Sequence, residues 1–277
     1  MDAAHENFHT LDGRYYAFGK LIREDGFRAA SLTERLDRAV LAECTVLVIA
    51  GALAFPDGQT GADVEVPAFR PDEIDRLLDW VVGGGRLLLV MDHWPYPSAA
   101  ANLAVTLGVV PFYGGASYQA FGELPETAWR ALAQQEGLTT DSVRRVLADP
   151  GALGDHPILR GRPGVEPPVR TLMTFGGSAF YPAVDVYPLL QVPARANGTV
   201  RLRRRAQEHA PRYALEGWLV GGARLFGAGR VVILGEAAMC SAQIAGPQRL
   251  RMGMNNPFSI DNARFCLNVI RWLAGVI

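Results

Sequence analysis

Apolar positions fall along this chain in two rhythms. In "CTVLVIAGAL", residues 44 to 53, they run without a break and β-branched residues are frequent. That is the pattern of a strand covered on both faces, and Gly51 ends it. From Pro71 onward the rhythm changes, and Ile74, Leu77, Leu78 and Val81 recur at the i, i+3, i+4, i+7 spacing of one helical stripe. Pro71 suits the first turn, where its missing N–H costs nothing. Asp72 and Glu73 suit the positive end of that helix. Gly83-Gly84-Gly85 stops it, and Arg86 to Met91 is the following strand. Strand, loop, helix, glycine turn and strand form a βαβ unit.

Weaker signals fill in the rest. "YYAFGKLIR", Tyr15 to Arg23, reads as an amphipathic helix, and "DGFRAASL" as a turn with a short strand at Phe27 to Ala29. Ser31 or Thr33 can cap a short helix through Leu36 and Val40. Ser98 can cap a helix carrying Ala101, Leu103, Ala104 and Leu107, closed by Gly108, and residues 108 to 115 return as a short extended piece. Between 116 and 150 "LPETAWRALAQQEG" and "TTDSVRRVLAD" read as two short helices, an excursion that can serve as a lid. Val169 to Phe175 and residues 187 to 193 are further strands. "GRVVILGEAAMCSAQ" is the second strong strand-to-loop transition, and Phe265, Leu267, Val269, Ile270 and Leu273 mark a buried C-terminal helix with Asp261 near its start. This alternation predicts a single α/β domain over residues 1–277, with a mainly parallel central sheet. Ligands of such folds sit beyond the carboxyl ends of the strands.

Composition narrows the partners. The chain has 277 residues, 49% of them hydrophobic, enough for one sizeable core. With 27 basic and 28 acidic side chains the net charge is -1, which gives no case for nucleic acid or an anionic membrane as the main partner. The one basic run, Arg201 to Arg205, reads as a solvated segment. No signal peptide and no run of about 18 apolar residues is evident, so a cytoplasmic protein without membrane insertion is expected. Cys44, Cys240 and Cys266 show no short pair spacing, so no disulfide framework is expected; Cys44 and Cys266 read as small core residues.

The strand exits hold the candidate chemistry. "RLLLVMDHWPYPSAA" ends in Asp92, His93, Trp94 and Tyr96, with Ser98 opening the next helix. An acid at the end of an apolar strand carries a desolvation cost that structure alone rarely requires. Glu236 follows the later strand, with Met239, Cys240, Ser241 and Gln243 behind it. "GDHPILRG" offers Asp155 and His156, and "MGMNNPFSIDN" offers Asn255 and Asn256. Asp92 and His93 can be an acid–base pair, or can ligate a divalent metal with Glu236 and His156, although no compact metal signature is present. They can equally be a cap and a satisfied core histidine. Trp94 and Tyr96 can stack on a ring or roof the sheet. His5 and His9, in "HENFH", can fold back over the pocket or fray. Cys240 can be a nucleophile only with a histidine from another loop. No dinucleotide fingerprint follows the first strand, so no nucleotide cofactor is expected.

"LLDWVVGGGRLLLVMDHWPYPSAAANLAVTLGV", "GDHPILRG", "GRVVILGEAAMCSAQ" and "GMNNPFSIDNARFCLNVIRWLAG" together resemble the class I glutamine amidotransferase-like superfamily, in its DUF4350-like branch. The resemblance implies a three-layer, flavodoxin-like fold. It also implies a catalytic cysteine at a sharp elbow after one strand, with a histidine and a glutamate from a later loop. Here Leu87 to Met91 is the corresponding strand and its exit is Asp92-His93, without a cysteine; Glu236 has no adjacent histidine. Glutaminase activity is therefore not expected. The superfamily also includes ThuA-like proteins linked to sugar metabolism and non-catalytic domains of transport and intraflagellar assemblies.

Two functions follow as expectations. In one, the chain binds a small polar or sugar-like metabolite and acts on it as a hydrolase or isomerase. Asp92, His93, Glu236 and His156 would be the catalytic groups, and Trp94, Tyr96, Ser98, Asn255, Asn256 and Gln243 would contact substrate. In the other, it is a non-catalytic ligand-binding or protein-interaction module. A homo-oligomer is compatible with either.

Overall fold

The computed structural model describes residues 1–55, 66–117, 146–147, 152–192, 197–200, 211–247 and 249–277. In chain order the strands are β1 (Leu47–Ala50), β2 (Arg86–Val90), β3 (Val109–Pro111), β4 (Gly114–Ser117), β5 (Val146–Leu147), β6 (Met173–Thr174), β7 (Phe180–Pro182), β8 (Tyr187–Gln191), β9 (Asn197–Val200), β10 (Arg212–Ala214), β11 (Leu219–Phe226), β12 (Gly229–Leu234), β13 (Ala242–Ala245) and β14 (Leu250–Gly253). The helices are α1 (Tyr16–Glu24), α2 (Arg38–Ala42), α3 (Pro71–Val82), α4 (Tyr96–Ala99) and α5 (Ala101–Thr106). A one-turn helix at Pro157–Arg160 and the C-terminal helix Asn262–Ala274 follow them.

The apolar runs read from the sequence become the centre of the main sheet, whose order is β1-β2-β12-β11-β7-β3, with β8 also paired to β11. β1, β2 and β12 are parallel, in the registers Ala50↔Val90 and Val90↔Leu234. Every other pairing in this sheet is antiparallel. The sheet is therefore mixed, and the expected parallel arrangement holds in the three strands that carry the apolar runs. β11 follows this pattern because the tight Gly227 turn joins it to β12 as a hairpin, which forces antiparallel pairing.

Side-chain alternation along the parallel strands feeds both faces. Leu47, Ile49, Leu87, Leu89, Val231 and Ile233 pack with Leu41 of α2, Ile74, Leu77 and Val81 of α3, and Leu103 of α5. Val48, Ala50, Leu88, Val90, Val232 and Leu234 pack with Phe18 and Ile22 of α1 and with Phe265, Val269, Ile270 and Leu273 of the C-terminal helix. Fully burying each such side chain contributes about 1.5–3 kcal/mol. The Gly83 stop forms as expected: Gly84 has φ +113°, which only glycine adopts without strain, and the chain reverses into β2.

Several local expectations are corrected. Phe27–Ala29 forms no strand, and the chain there makes a single bridge, Asp2↔Leu32. The cap of α2 is Asp37, whose carboxylate accepts from the Val40 amide, rather than Ser31 or Thr33, so the helix starts after Leu36. Ser98 lies inside α4, buried, and caps nothing. The strand expected over Val169–Phe175 is only Met173–Thr174, because Asp261 and Asn262 side chains take the Arg170, Thr171 and Met173 amides that a longer ladder would use. Asp261 thus holds a loop rather than capping its own helix. The basic run 201–205 and most of the 116–150 excursion lie outside the described residues; of the excursion, Ala116–Ser117 and Val146–Leu147 are strand.

The cysteine reading is also corrected. Cys240 and Cys266 form a disulfide, which ties the 3-10 turn Ala238–Cys240 to the C-terminal helix, and Cys44 is the free thiol. Pairs 26 residues apart carry no sequence signature, because what matters is that both ends are brought within bonding reach by the packing of the helix beneath the turn. A loop of that length is expected to stabilise the fold by about 3 kcal/mol relative to the reduced chain. Urea unfolding with and without dithiothreitol should show that difference, and mass spectrometry after alkylation should count one thiol before reduction and three after. Three alkylated thiols in the untreated, denatured protein would sink the bridge.

Candidate functional site

The parallel strands end side by side, and their exits define the site. Gly51 follows β1 with φ +60°, and a Cβ there would lie 3.2 Å from His9 Nδ1 and from Phe8 Cβ, so glycine admits the N-terminal segment over the strand end. Asp92 follows β2. Its φ is +72°, a left-handed conformation that costs a non-glycine residue about 1–2 kcal/mol. The Met91 amide still bonds the Leu234 carbonyl at 2.8 Å, so the register carries Asp92 to a place beside Glu236.

Glu236 is 1% exposed and is held entirely by main chain. Oε2 accepts from the amides of Phe175 at 2.9 Å and Gly177 at 2.7 Å, and Oε1 from that of Ala238 at 2.9 Å. Burial pushes its pKa up to about 7, and the neighbouring Asp92 charge adds to this, while the three amides oppose both. Asp92 is also buried, and its Oδ1 accepts from the His93 amide at 2.8 Å.

The N-terminal segment covers this pair. It runs along the edge of β1, with backbone bonds from Asp2 to Val48, Leu53 to His5 and Phe8 to Gly51. His9 and Tyr15 are each 1% exposed and pack ring to ring at 4.8 Å. The Tyr15 hydroxyl donates to the Ala237 carbonyl at 3.0 Å. Burial drives His9 down to about 4 against the pull of Asp92, and Tyr15 well above its usual value, with Asp92 and Glu236 adding to the latter. Outside them, Arg14 lies 3.6 Å over the Phe8 ring and donates to Gln243 Oε1 at 3.1 Å, while Gln243 donates to Ser241 Oγ at 2.9 Å. His9 Nδ1 and Trp94 Nε1 are buried without a hydrogen-bond partner among the described residues.

The sequence candidates therefore separate. Asp92 and Glu236 come together. His93 does not join them: its side chain is exposed, and Nδ1 lies 2.7 Å from the Trp94 carbonyl. The Trp94–Pro95 peptide is cis, and Tyr96 is buried 5.3 Å from the Phe8 ring. His156 lies at the other end of the sheet, near Arg230 at the start of β12, packed edge-on to Trp272 at 4.9 Å. It is the N-cap of the Pro157–Arg160 turn, with Nδ1 accepting from the Ile158 amide, and burial with Arg160 and Arg230 lowers it to about 4. Asn255 donates to the Gln243 carbonyl, and Asn256 donates to the Arg251 carbonyl and accepts from the Phe258 amide, so both stabilise the β13–β14 hairpin. Among the described residues no three His, Cys, Asp or Glu side chains converge as a metal-ligand set.

Two features escape sequence reasoning. Tyr15 reads as a helical core residue, but it seals the acidic pair. His5 joins a separate buried cluster, with Nδ1 2.9 Å from Asp2 Oδ2 and Nε2 3.4 Å from Glu73 Oε1. Burial disfavours its charge, but the two carboxylates outweigh that and raise its pKa. The "DAAH" spacing was the available signal for its pairing with Asp2.

Comparison with known proteins matches the fold. The N-terminal domain of mmIFT52 superposes over 99% of this chain and 96% of that domain, with a TM-score of 0.64 and 12% identity. Looser likenesses, with TM-scores of 0.44, are to putative ThuA-like proteins of Bacteroides uniformis (12% identity, 96% of this chain and 88% of that one) and of Parabacteroides merdae (11%, 97% and 86%). No protein-family model and no curated protein matches the sequence. At this identity the likeness to the mmIFT52 domain is one of α/β fold. No helix among the described residues is long and apolar enough to cross a membrane.

Two consequences can be measured. Glu236 holds its proton more tightly when folded, so its contribution to stability is full below about pH 4.5 and is lost as pH rises to about 7. Glu236→Gln should remove that slope from urea titrations. It should also lower stability by about 1–3 kcal/mol, because a side-chain NH₂ must then face one of the three amides. Equal slopes in the two proteins would refute the assignment. His156 behaves oppositely: its folded pKa is depressed, so stability present above about 6.5 is lost as pH falls towards about 4. His156→Asn keeps the capping acceptor and should lose less stability between pH 7 and pH 4.5 than the parent.

Proposed function

We propose that this chain is a non-catalytic binding domain with an amidotransferase-like, three-layer α/β organisation, in which Glu236 is a structural lock. The observation that carries this reading is the state of Glu236. The residue is 1% exposed, and both carboxylate oxygens are occupied by backbone amides. A general base or nucleophile must present a lone pair to substrate. The absence of a cysteine at position 92 and of a histidine adjacent to Glu236 in the sequence removes the glutaminase triad that the family resemblance would require. His93 and His156, the candidate proton-transfer partners, face away from the pair or sit at the other end of the sheet.

One observation favours a second reading, an enzyme acting on a small polar or sugar-like metabolite. Asp92 is held at φ +72° beside a carboxyl raised to about 7, and strained residues and carboxyls of raised pKa recur at catalytic sites. In that reading Glu236 is the acid, Asp92 the base or nucleophile, and the Phe8–Tyr15 segment must lift away.

Asp92→Gly separates the two. Glycine relieves the left-handed strain and removes the charge beside Glu236, so a structural lock predicts a folded variant with an equal or higher Tm. The non-catalytic reading further expects no ammonia from L-glutamine, and no nitrophenol from p-nitrophenyl esters or glycosides, above a heat-denatured control. Turnover by the parent protein that disappears in folded Asp92→Gly would establish the enzyme instead.

A further inference from the structure

A cavity of about 590 Å³ opens away from the acidic pair, between α1, residues 27–32, the start of β1 and the C-terminal helix. Its volume lies within the range of about 300–1,000 Å³ typical of small-molecule sites. Separate stretches of chain build it. Phe18 and Ile22 come from α1, Phe27 from the following turn, Val46 and Val48 from β1 and its approach, and Ile270 from the last helix. These walls are aliphatic and aromatic, so they select an apolar body. The charged side chains on the lining are Arg28 and Glu43, both exposed and opposite in sign, so their two charges offset each other. The Met1 amino group, which also borders the cavity, is turned onto the Ala30 carbonyl at 2.7 Å. Cys44, the chain's free thiol, stands half-buried on the same wall.

We infer that this cavity binds an uncharged small molecule with an extended apolar body and a single polar head, of the medium-chain alcohol or amide class. The apolar walls take the body, and the head lies among the Arg28, Glu43 and Thr45 side chains, which offer both donors and acceptors without favouring either charge. The inference goes beyond the binding-domain reading and stands apart from it, because the residues that hydrogen-bond Asp92 and Glu236, namely His93, Phe175, Gly177 and Ala238, do not line the cavity. A protein that turned out to be an enzyme at Asp92 would give the same answer here.

The test titrates the intact, disulfide-bonded protein with Nile red, a neutral fluorescent probe, and displaces it with decanol, decanoate or decylammonium. A saturable signal displaced best by decanol is expected. Ala274→Trp, which projects an indole into the cavity from the last helix, should weaken the probe by about tenfold or more. Alkylation of Cys44 by N-ethylmaleimide should slow several-fold when decanol is bound, which places the ligand against this wall even if the tryptophan variant fails to fold. No saturable probe binding, or binding with an unchanged Cys44 alkylation rate, would overturn the site. Stronger displacement by decanoate or decylammonium than by decanol would overturn the uncharged ligand class.

Discussion

Everything at the carboxyl edge of the sheet depends on one carboxylate and three backbone amides. Glu236 stands at the end of β12 and takes the amides of Phe175, Gly177 and Ala238. The first two belong to a loop that returns from β6 towards β7, and the third opens the turn that carries Cys240. Without Glu236 these amides would be buried donors without acceptors, each with a desolvation penalty of about 1–3 kcal/mol. The carboxylate therefore fixes the loop and the turn relative to β12 with a single side chain. The disulfide then fastens the same turn to the C-terminal helix.

That arrangement constrains the rest of the edge. Asp92, in register with Glu236 on the next strand, must sit beside an acid that is already committed, and its repulsion adds to the burial that raises Glu236. The N-terminal segment completes the enclosure by placing two uncharged rings over the pair: Tyr15, whose hydroxyl is taken by Ala237, and His9, which burial keeps neutral. A neutral aromatic cover brings no cation to the pair, and burial with the Asp92 charge raises the Glu236 pKa. The same features that make the site look catalytic in composition thus make it self-sufficient in structure.

The opposite character prevails at the apolar cavity along β1. There the walls come from α1, the 27–32 segment and the last helix, and the last helix is joined to the acidic edge by the Cys240–Cys266 disulfide and by Asn262, which donates to the Met239 carbonyl. The Asp2–His5–Glu73 cluster and the Arg271 pairs with Asp25 and Glu166 anchor the surrounding elements from outside. Polar chemistry holds the scaffold closed at the strand exits, and apolar surface lines the space left at the flank. The inferred binding at the flank leaves the carboxyl edge locked.

Much of the frame was legible from the order of residues. The β1, β2 and β12 strands, α3 with its glycine stop, and the C-terminal helix follow from local periodicity and turn chemistry, which act over a few neighbours and leave their mark in sequence. The two acids at strand exits were legible for the same reason. The antiparallel half of the sheet, the disulfide between residues 26 apart, the exposure of His93 and the removal of His156 to the far end were not. Nor was the choice among Asp37, Ser31 and Thr33 as a cap, since each has the right side chain and only the path of the chain selects one. The sequence by itself determined which segments would be buried and where charge would meet a strand end. Tertiary structure decided whether those charges face substrate or backbone, because that depends on which distant segment is packed over them, and packing partners far apart in the chain leave no periodic trace.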